Sequence, residues 1–158
     1  MAIVQRLQEL LDAGGVGYTH HVHPTAYTAR EVAQLEHLPQ HRFAKGVVFW
    51  GDEGYAMAVL PADYVVDLQE LRAALGLKRA RLATEKELAE LFADCELGAM
   101  PPLGSLYRMP TYVESSLAEE EWIAFNAGTH RDVVHLRFED FKRLERPLVV
   151  HFARLAAA

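Results

Sequence analysis

A single mixed α/β domain, built on a central, largely antiparallel sheet flanked by helices, is the fold class this sequence predicts. Three observations carry it. The chain is 158 residues long, which suits one domain with a real core. Helix-opening patterns alternate with short apolar runs along its whole length. Two of those runs are joined by a turn short enough to force an antiparallel pair.

The elements follow in order. Ala2 to Ala13 places Ile3, Leu7, Leu10 and Leu11 on one helical face, and Gly14-Gly15 stop that helix. Val16 to Val22 is a strand. Thr28-Ala-Arg-Glu31 is a capping-box pattern opening a helix that runs to about Leu38. Ala44–Trp50 and Tyr55–Leu60, joined by Gly51-Asp-Glu-Gly54, form a hairpin. Asp67 opens a helix ending near Gly76. Thr84-Glu-Lys-Glu87 opens another, with Leu88, Leu91 and Phe92 inward. After a Gly98–Gly104 loop come strands at Thr111–Val113, Trp122–Asn126, Val133–Phe138 and Leu148–Phe152, with a short helix over Glu139–Leu144. There is no internal repeat and no linker, so residues 1–158 read as one domain.

Composition narrows the function. The hydrophobic fraction is 51% and the charged fraction 24%, both ordinary for a soluble domain. No apolar run approaches the roughly 20 residues that span a bilayer. The first fifteen residues read as an amphipathic helix, not a signal peptide, so the expected location is cytoplasmic with no membrane partner. One cysteine, Cys95, excludes an intrachain disulfide and disfavours a thiolate metal site. A net charge of -6 argues against a broadly basic nucleic-acid-coating surface. Lys78-Arg79-Ala80-Arg81 reads as a solvated loop beside a helix end.

Several stretches carry possible chemistry. Lys45 sits inside the apolar run Phe43–Phe49, where an unpaired ammonium is costly. It is either a cation aimed into a cleft or a lysine snorkelling at the start of its strand. Gly46 beside it permits close approach of a backbone or a ligand. The loop Gly-Ala-Met-Pro-Pro-Leu-Gly, Gly98 to Gly104, fits two descriptions: a rigid connection, or a donor loop whose N–H groups converge on developing negative charge. Phe125-Asn-Ala-Gly-Thr-His130 is a strand ending in a glycine turn, with polar Asn126, Thr129 and His130 at a position that lines a site or merely faces water. His21 and His23 share a strand face and suggest zinc, but no further ligand stands at a recognised spacing, so no metal is expected. Neither Cys95 nor Ser105 has a nucleophile's setting in the sequence.

Taken together, Lys45, the loop bearing Gly98, Pro102 and Gly104, the glycine turn at Gly128 and the early segment His21–Pro24 resemble the YbaK family. These are trans-acting aminoacyl-tRNA deacylases related to the editing domain inserted in bacterial prolyl-tRNA synthetases. The resemblance runs from about Val16 to Phe152. It implies hydrolysis of the ester between a wrong, small amino acid (Ala, Ser, Thr or Cys) and tRNA, with neither metal, cofactor nor protein nucleophile. It further implies that Lys45 positions the CCA end and that Gly98, Pro102 and Gly104 form the oxyanion loop. Gly104 and its neighbours would then supply N–H groups, because prolines cannot donate. His21, Met100, Asn126, Gly128, Thr129 and His130 are the residues it places around the substrate. Partners would be the tRNA acceptor end and a synthetase. The sequence departs from the family at His21, where several relatives carry an aromatic residue, and at Ala99-Met100 and Pro101. The other function classes open at this point are a non-catalytic aminoacyl- or nucleotide-binding module and a metal hydrolase built on His21 and His23.

Overall fold

A computed structural model describes residues 3–156. The helices are α1 (Gln5–Gly14), α2 (Ala29–Leu35), α3 (Leu68–Leu75), α4 (Glu85–Leu91) and α5 (Phe138–Glu145). The strands are β1 (Tyr18–Val22), β2 (Ala44–Gly51), β3 (Gly54–Pro61), β4 (Tyr64–Val66), β5 (Ala80–Leu82), β6 (Thr111–Glu114), β7 (Trp122–Asn126), β8 (Asp132–Arg137), β9 (Leu148–Val150) and β10 (Ala153–Leu155). Ala2, the expected start of the first helix, lies outside the described residues.

Local signals set most of these boundaries. Gly15 ends α1 in the left-handed conformation, at φ 63°. The Asp67 side chain accepts from the N–H groups of Gln69 and Glu70 and so starts α3. Thr84 and Glu87 form a complete capping box on α4. At Thr28 only half of the box forms: its hydroxyl accepts from the Glu31 N–H, but the Glu31 carboxylate takes the Thr28 hydroxyl proton and not a backbone N–H. That helix closes at Leu35, earlier than expected, because His37 turns to φ 56°.

The central sheet has five strands in the order β5-β2-β3-β6-β9. Its hairpin pairs Ala44 with Pro61 through to Gly51 with Gly54. In this sheet β2–β3 and β2–β5 are antiparallel and β3–β6 and β6–β9 parallel, so it is evenly mixed where a largely antiparallel sheet was expected; the other three strand pairings among the described residues are antiparallel. A three-stranded sheet, β1-β8-β7, joins the central one through a bridge between Phe43 and Ala124. That bridge brings the C-terminal end of β7 beside the start of β2. The main core, with Leu7, Met57, Leu103, Val113, Phe125 and Phe141, fills the space between the two sheets and α1 and α5.

Three short strands escape local reading. β4 and β10 pair only with each other, and β5 lies on the edge of β2, so Arg81 belongs to a strand and bonds Glu87. Phe138 opens α5 and does not end the preceding strand. No helix among the described residues is long and apolar enough to cross a membrane.

Candidate functional site

The hairpin places Lys45 on the second residue of β2, opposite Leu60. Its ammonium reaches the Ala62 carbonyl at 3.4 Å, a weak contact. Burial, with the nearby Arg30 guanidinium, holds its pKa below the ordinary lysine value, and Asp63 opposes them. A half-buried cation without a close counter-charge favours an anionic partner.

Lys45 lines a small cavity of about 140 Å³ with Ala29, Ala44, Gly46, Gly98, Met100 and Asn126. That is well under the roughly 300–1,000 Å³ of pockets for drug-sized ligands. A larger groove, about 550 Å³, is lined by Val4, Gln5, Arg6, Glu9 and Asp94. The Arg6–Asp94 ion pair crosses that groove, and neither glycine loop contributes to it.

The loop from Gly98 to Gly104 divides into two halves. In the first, Gly98 sits at φ 84°, a conformation that favours glycine. Among the described residues, the N–H groups of Gly98 and Met100 meet no backbone acceptor. In the second half every donor is used. The Leu103 N–H bonds the Pro101 carbonyl at 2.8 Å, and the Gly104 N–H bonds Thr111 Oγ1 at 2.8 Å. Ser105 gives its N–H to Glu145 at 3.0 Å and its hydroxyl to the same carboxylate, which also takes the Thr111 hydroxyl. This corrects the expectation for Gly104: its N–H is consumed, and its role is steric. A Cβ there would stand 2.6 Å from Thr111 Oγ1 and 2.7 Å from the Met109 carbonyl. Pro102 supports from below, its Cα 3.5 Å from where a Cβ on Gly46 would lie.

The second glycine turn latches the first loop. Gly128 donates to the Ala99 carbonyl at 2.9 Å and accepts from the Glu96 N–H at 2.8 Å. The His130 N–H bonds Glu96 Oε1 at 2.6 Å, and its Nε2 bonds the Leu97 carbonyl at 2.7 Å. Gly128 stands at φ 105°, and a Cβ there would strike Val4 at 2.8 Å. Thr129 is spent inside the turn, donating to Asp132 and accepting from the N–H groups of Arg131 and Asp132. Gly128 and Thr129 therefore shape the site without facing it.

Two polar atoms are left over. Asn126 Oδ1 and His130 Nδ1 are buried without a partner. Because a carbonyl only accepts, the His130 proton sits on Nε2, and Nδ1 of the neutral ring is an acceptor. The His130 ring packs on the loop, its Cε1 3.7 Å from the point where a Cβ on Gly98 would stand.

His21 stands elsewhere. It is exposed, bonds Glu36 at 2.9 Å and does not line the cavity. His23 is buried, with Nδ1 on the Pro24 carbonyl at 2.6 Å, so the His21–His23 pair that would make a metal hydrolase does not form. Burial pushes the Cys95 thiol up to about 11, which keeps it protonated and unreactive. Sequence reasoning missed Ala29, Arg30 and Glu96. Ala29 and Arg30 are hidden inside a capping pattern, and nothing in the local sequence marks Glu96 as a latch.

The small cavity thus carries one half-buried cation, two lining residues whose N–H groups meet no acceptor among the described residues and the unpartnered Asn126 Oδ1, a set suited to a small polar ligand; His130 stands behind the loop at its edge. The description "aminoacyl-tRNA editing domain" matches residues 23–144, and the chain belongs to that family. It is 31% identical over 157 residues to a multifunctional Ser/Thr-tRNA deacylase, ProXp-y, of Escherichia coli K12, covering 96% of this chain and 93% of that one. A proline–tRNA ligase of Thermosipho africanus is 30% identical over 82 residues, 52% of this chain and 14% of the ligase. A solved structure described as a candidate trans-editing enzyme for prolyl-tRNA synthetase superposes with a TM-score of 0.82 over 96% of each chain, at 23% identity.

Proposed function

We propose that this protein hydrolyses the ester linking a small, wrongly attached amino acid to the end of a tRNA, with serine and threonine the leading substrates. The observation that carries this reading is that Lys45, Gly98 and Met100 line one small cavity and that the Gly98 and Met100 N–H groups meet no acceptor among the described residues. Lys45 binds an anion, which on this substrate is a phosphate of the acceptor end. The two N–H groups face the ester carbonyl and take up its charge as it becomes tetrahedral.

Water attacks the carbonyl carbon, and the bond from that carbon to the ribose oxygen breaks. The amino acid leaves as a carboxylic acid, and the ribose oxygen takes back a proton. No serine, threonine or cysteine lines the cavity among the described residues, Lys45 is given to the anion, and the ester is activated enough that orientation carries much of the rate. The adjacent ribose hydroxyl supplies the polar group nearest the water.

Asn126 Oδ1 and His130 Nδ1 account for the substrate preference. The aminoacyl group brings donors: its ammonium and, for serine or threonine, a hydroxyl. A site with buried unpaired acceptors favours the substrate that satisfies them over one that leaves them bare. The relative's serine and threonine activity supports this choice.

The test follows ester loss from a panel of Ser-, Thr-, Ala-, Cys- and Pro-tRNAs with the wild type and Lys45→Ala. Rapid loss of the seryl and threonyl species, abolished in a folded Lys45→Ala protein, is expected. Binding of aminoacyl-tRNA without turnover of any species would overturn hydrolysis and leave a binding module. A working synthetase partner would show as a lower KM when prolyl-tRNA synthetase is added.

A further inference from the structure

Outside the reaction cavity, three side chains from three separate elements converge on one point. His21 comes from β1, His135 from β8 and Glu36 from the residue that closes α2. His21 Nδ1 lies 2.9 Å from Glu36 Oε1, and His135 Nε2 lies 2.9 Å from the same oxygen. The two imidazoles pack with centroids 4.4 Å apart. All three ligand atoms lie within 4.8 Å of one another. The strand register explains the meeting: His21 pairs with Val133 and Thr19 with His135, so the histidines are diagonal neighbours on one sheet face.

We propose that His21, Glu36 and His135 form a binding site for a borderline divalent transition ion, of which zinc is the one to probe. Bonds of about 2.0–2.2 Å at tetrahedral angles set ligand atoms roughly 3.3 Å apart, so small side-chain rotations convert these contacts into coordination. Two imidazoles and one carboxylate suit zinc, nickel or copper better than magnesium or calcium. The Glu36 side chain is only 7% exposed and His135 17%, while His21 is 51% exposed. The ion would therefore be gripped from inside and left open to water on one side. Its ligands come from three separate elements, so a bound ion acts as a clasp between them. It ties the C-terminal end of α2 to the β1–β8 pair, and the first residue of α2, Ala29, lines the reaction cavity. The clasp does not depend on the deacylase reading, because its ligands lie outside that cavity.

The test uses the full-length protein, free of any histidine tag and stripped with a chelator. Zinc chloride is titrated by calorimetry and in competition with a chromophoric chelator, and cobalt(II) spectra report the geometry. One equivalent bound, a raised melting temperature and a tetrahedral cobalt spectrum are expected. His21→Ala and His135→Ala should each weaken binding by at least the roughly 10–100-fold that the loss of an outer-shell partner costs. His151→Ala, a histidine outside the cluster, should bind as the wild type does. His21 is exposed, so its variant keeps the fold, and circular dichroism checks both. No saturable binding, or equal binding by the wild type, His21→Ala and His135→Ala, would overturn the site.

Discussion

The two halves of the Gly98–Gly104 loop differ in what their backbone is free to do. From Gly98 to Met100, both cavity-lining residues have N–H groups that meet no acceptor among the described residues. From Leu103 to Ser105, each N–H is bonded, two of them into the cluster formed by Thr111 and Glu145. The lesson concerns preorganisation. Open donors are useful only if the backbone holding them does not relax to find partners of its own. The closed half prevents that from one side, and the latch from Glu96, Gly128 and His130 prevents it from the other.

The sharpest way to break this contrast is to remove one N–H at a time. Replacing Met100 by its α-hydroxy analogue exchanges the amide N–H for an ester oxygen and leaves the side chain in place. Deacylation should fall by about 10²–10³-fold, with the melting temperature nearly unchanged. An unchanged rate would assign the oxyanion to other donors. Gly104→Ala comes next. Its Cβ would stand against the Met109 carbonyl and Thr111, so urea unfolding should show a loss of about 1–3 kcal/mol. The α-hydroxy analogue of glycine at position 104 is milder. It removes the bond to Thr111 for about 1 kcal/mol of stability, and the rate per folded molecule should hold. If position 104 lost activity as position 100 does, the division of labour would be wrong.

The last prediction touches neither rate nor stability. Cys95 lies three residues before Gly98, under the Tyr107 hydroxyl at 3.1 Å. Burial raises its thiol from 9.0 to about 11, so its thiolate fraction near neutral pH is about 100-fold below that of an ordinary thiol. Iodoacetamide labelling of the folded protein should stay slow through pH 8 and rise only as pH approaches that value. Fast labelling at pH 7 would show that this wall of the loop opens.

Much of the fold was legible because its signals are local. Thr84, Asp67, Gly15 and Gly76 mark helix ends through hydrogen bonds and dihedral angles reaching only a few residues. Gly51 and Gly54 close a hairpin whose register follows from turn length. The β4–β10 pair was invisible, since Val66 meets Ala153 across most of the chain and three-residue strands carry little pattern. In the site, Lys45, Gly98 and Asn126 were found from residue type and Met100 from the family resemblance, and all four line one cavity. His21 was misplaced: its strand was right, but its face carries it toward Glu36 and away from Lys45.

By itself, the sequence determined which residues could do this chemistry: a lysine in an apolar run, two glycine turns and no nucleophile–base pair. Only the tertiary structure decided which of them come together and which backbone donors stay open. Whether an N–H is open or bonded depends on what lies across from it. For Gly104 that neighbour is Thr111, and the carboxylate behind it belongs to Glu145, 40 residues further along the chain from Ser105. Hydrogen bonds of that range form only when the core brings their partners together.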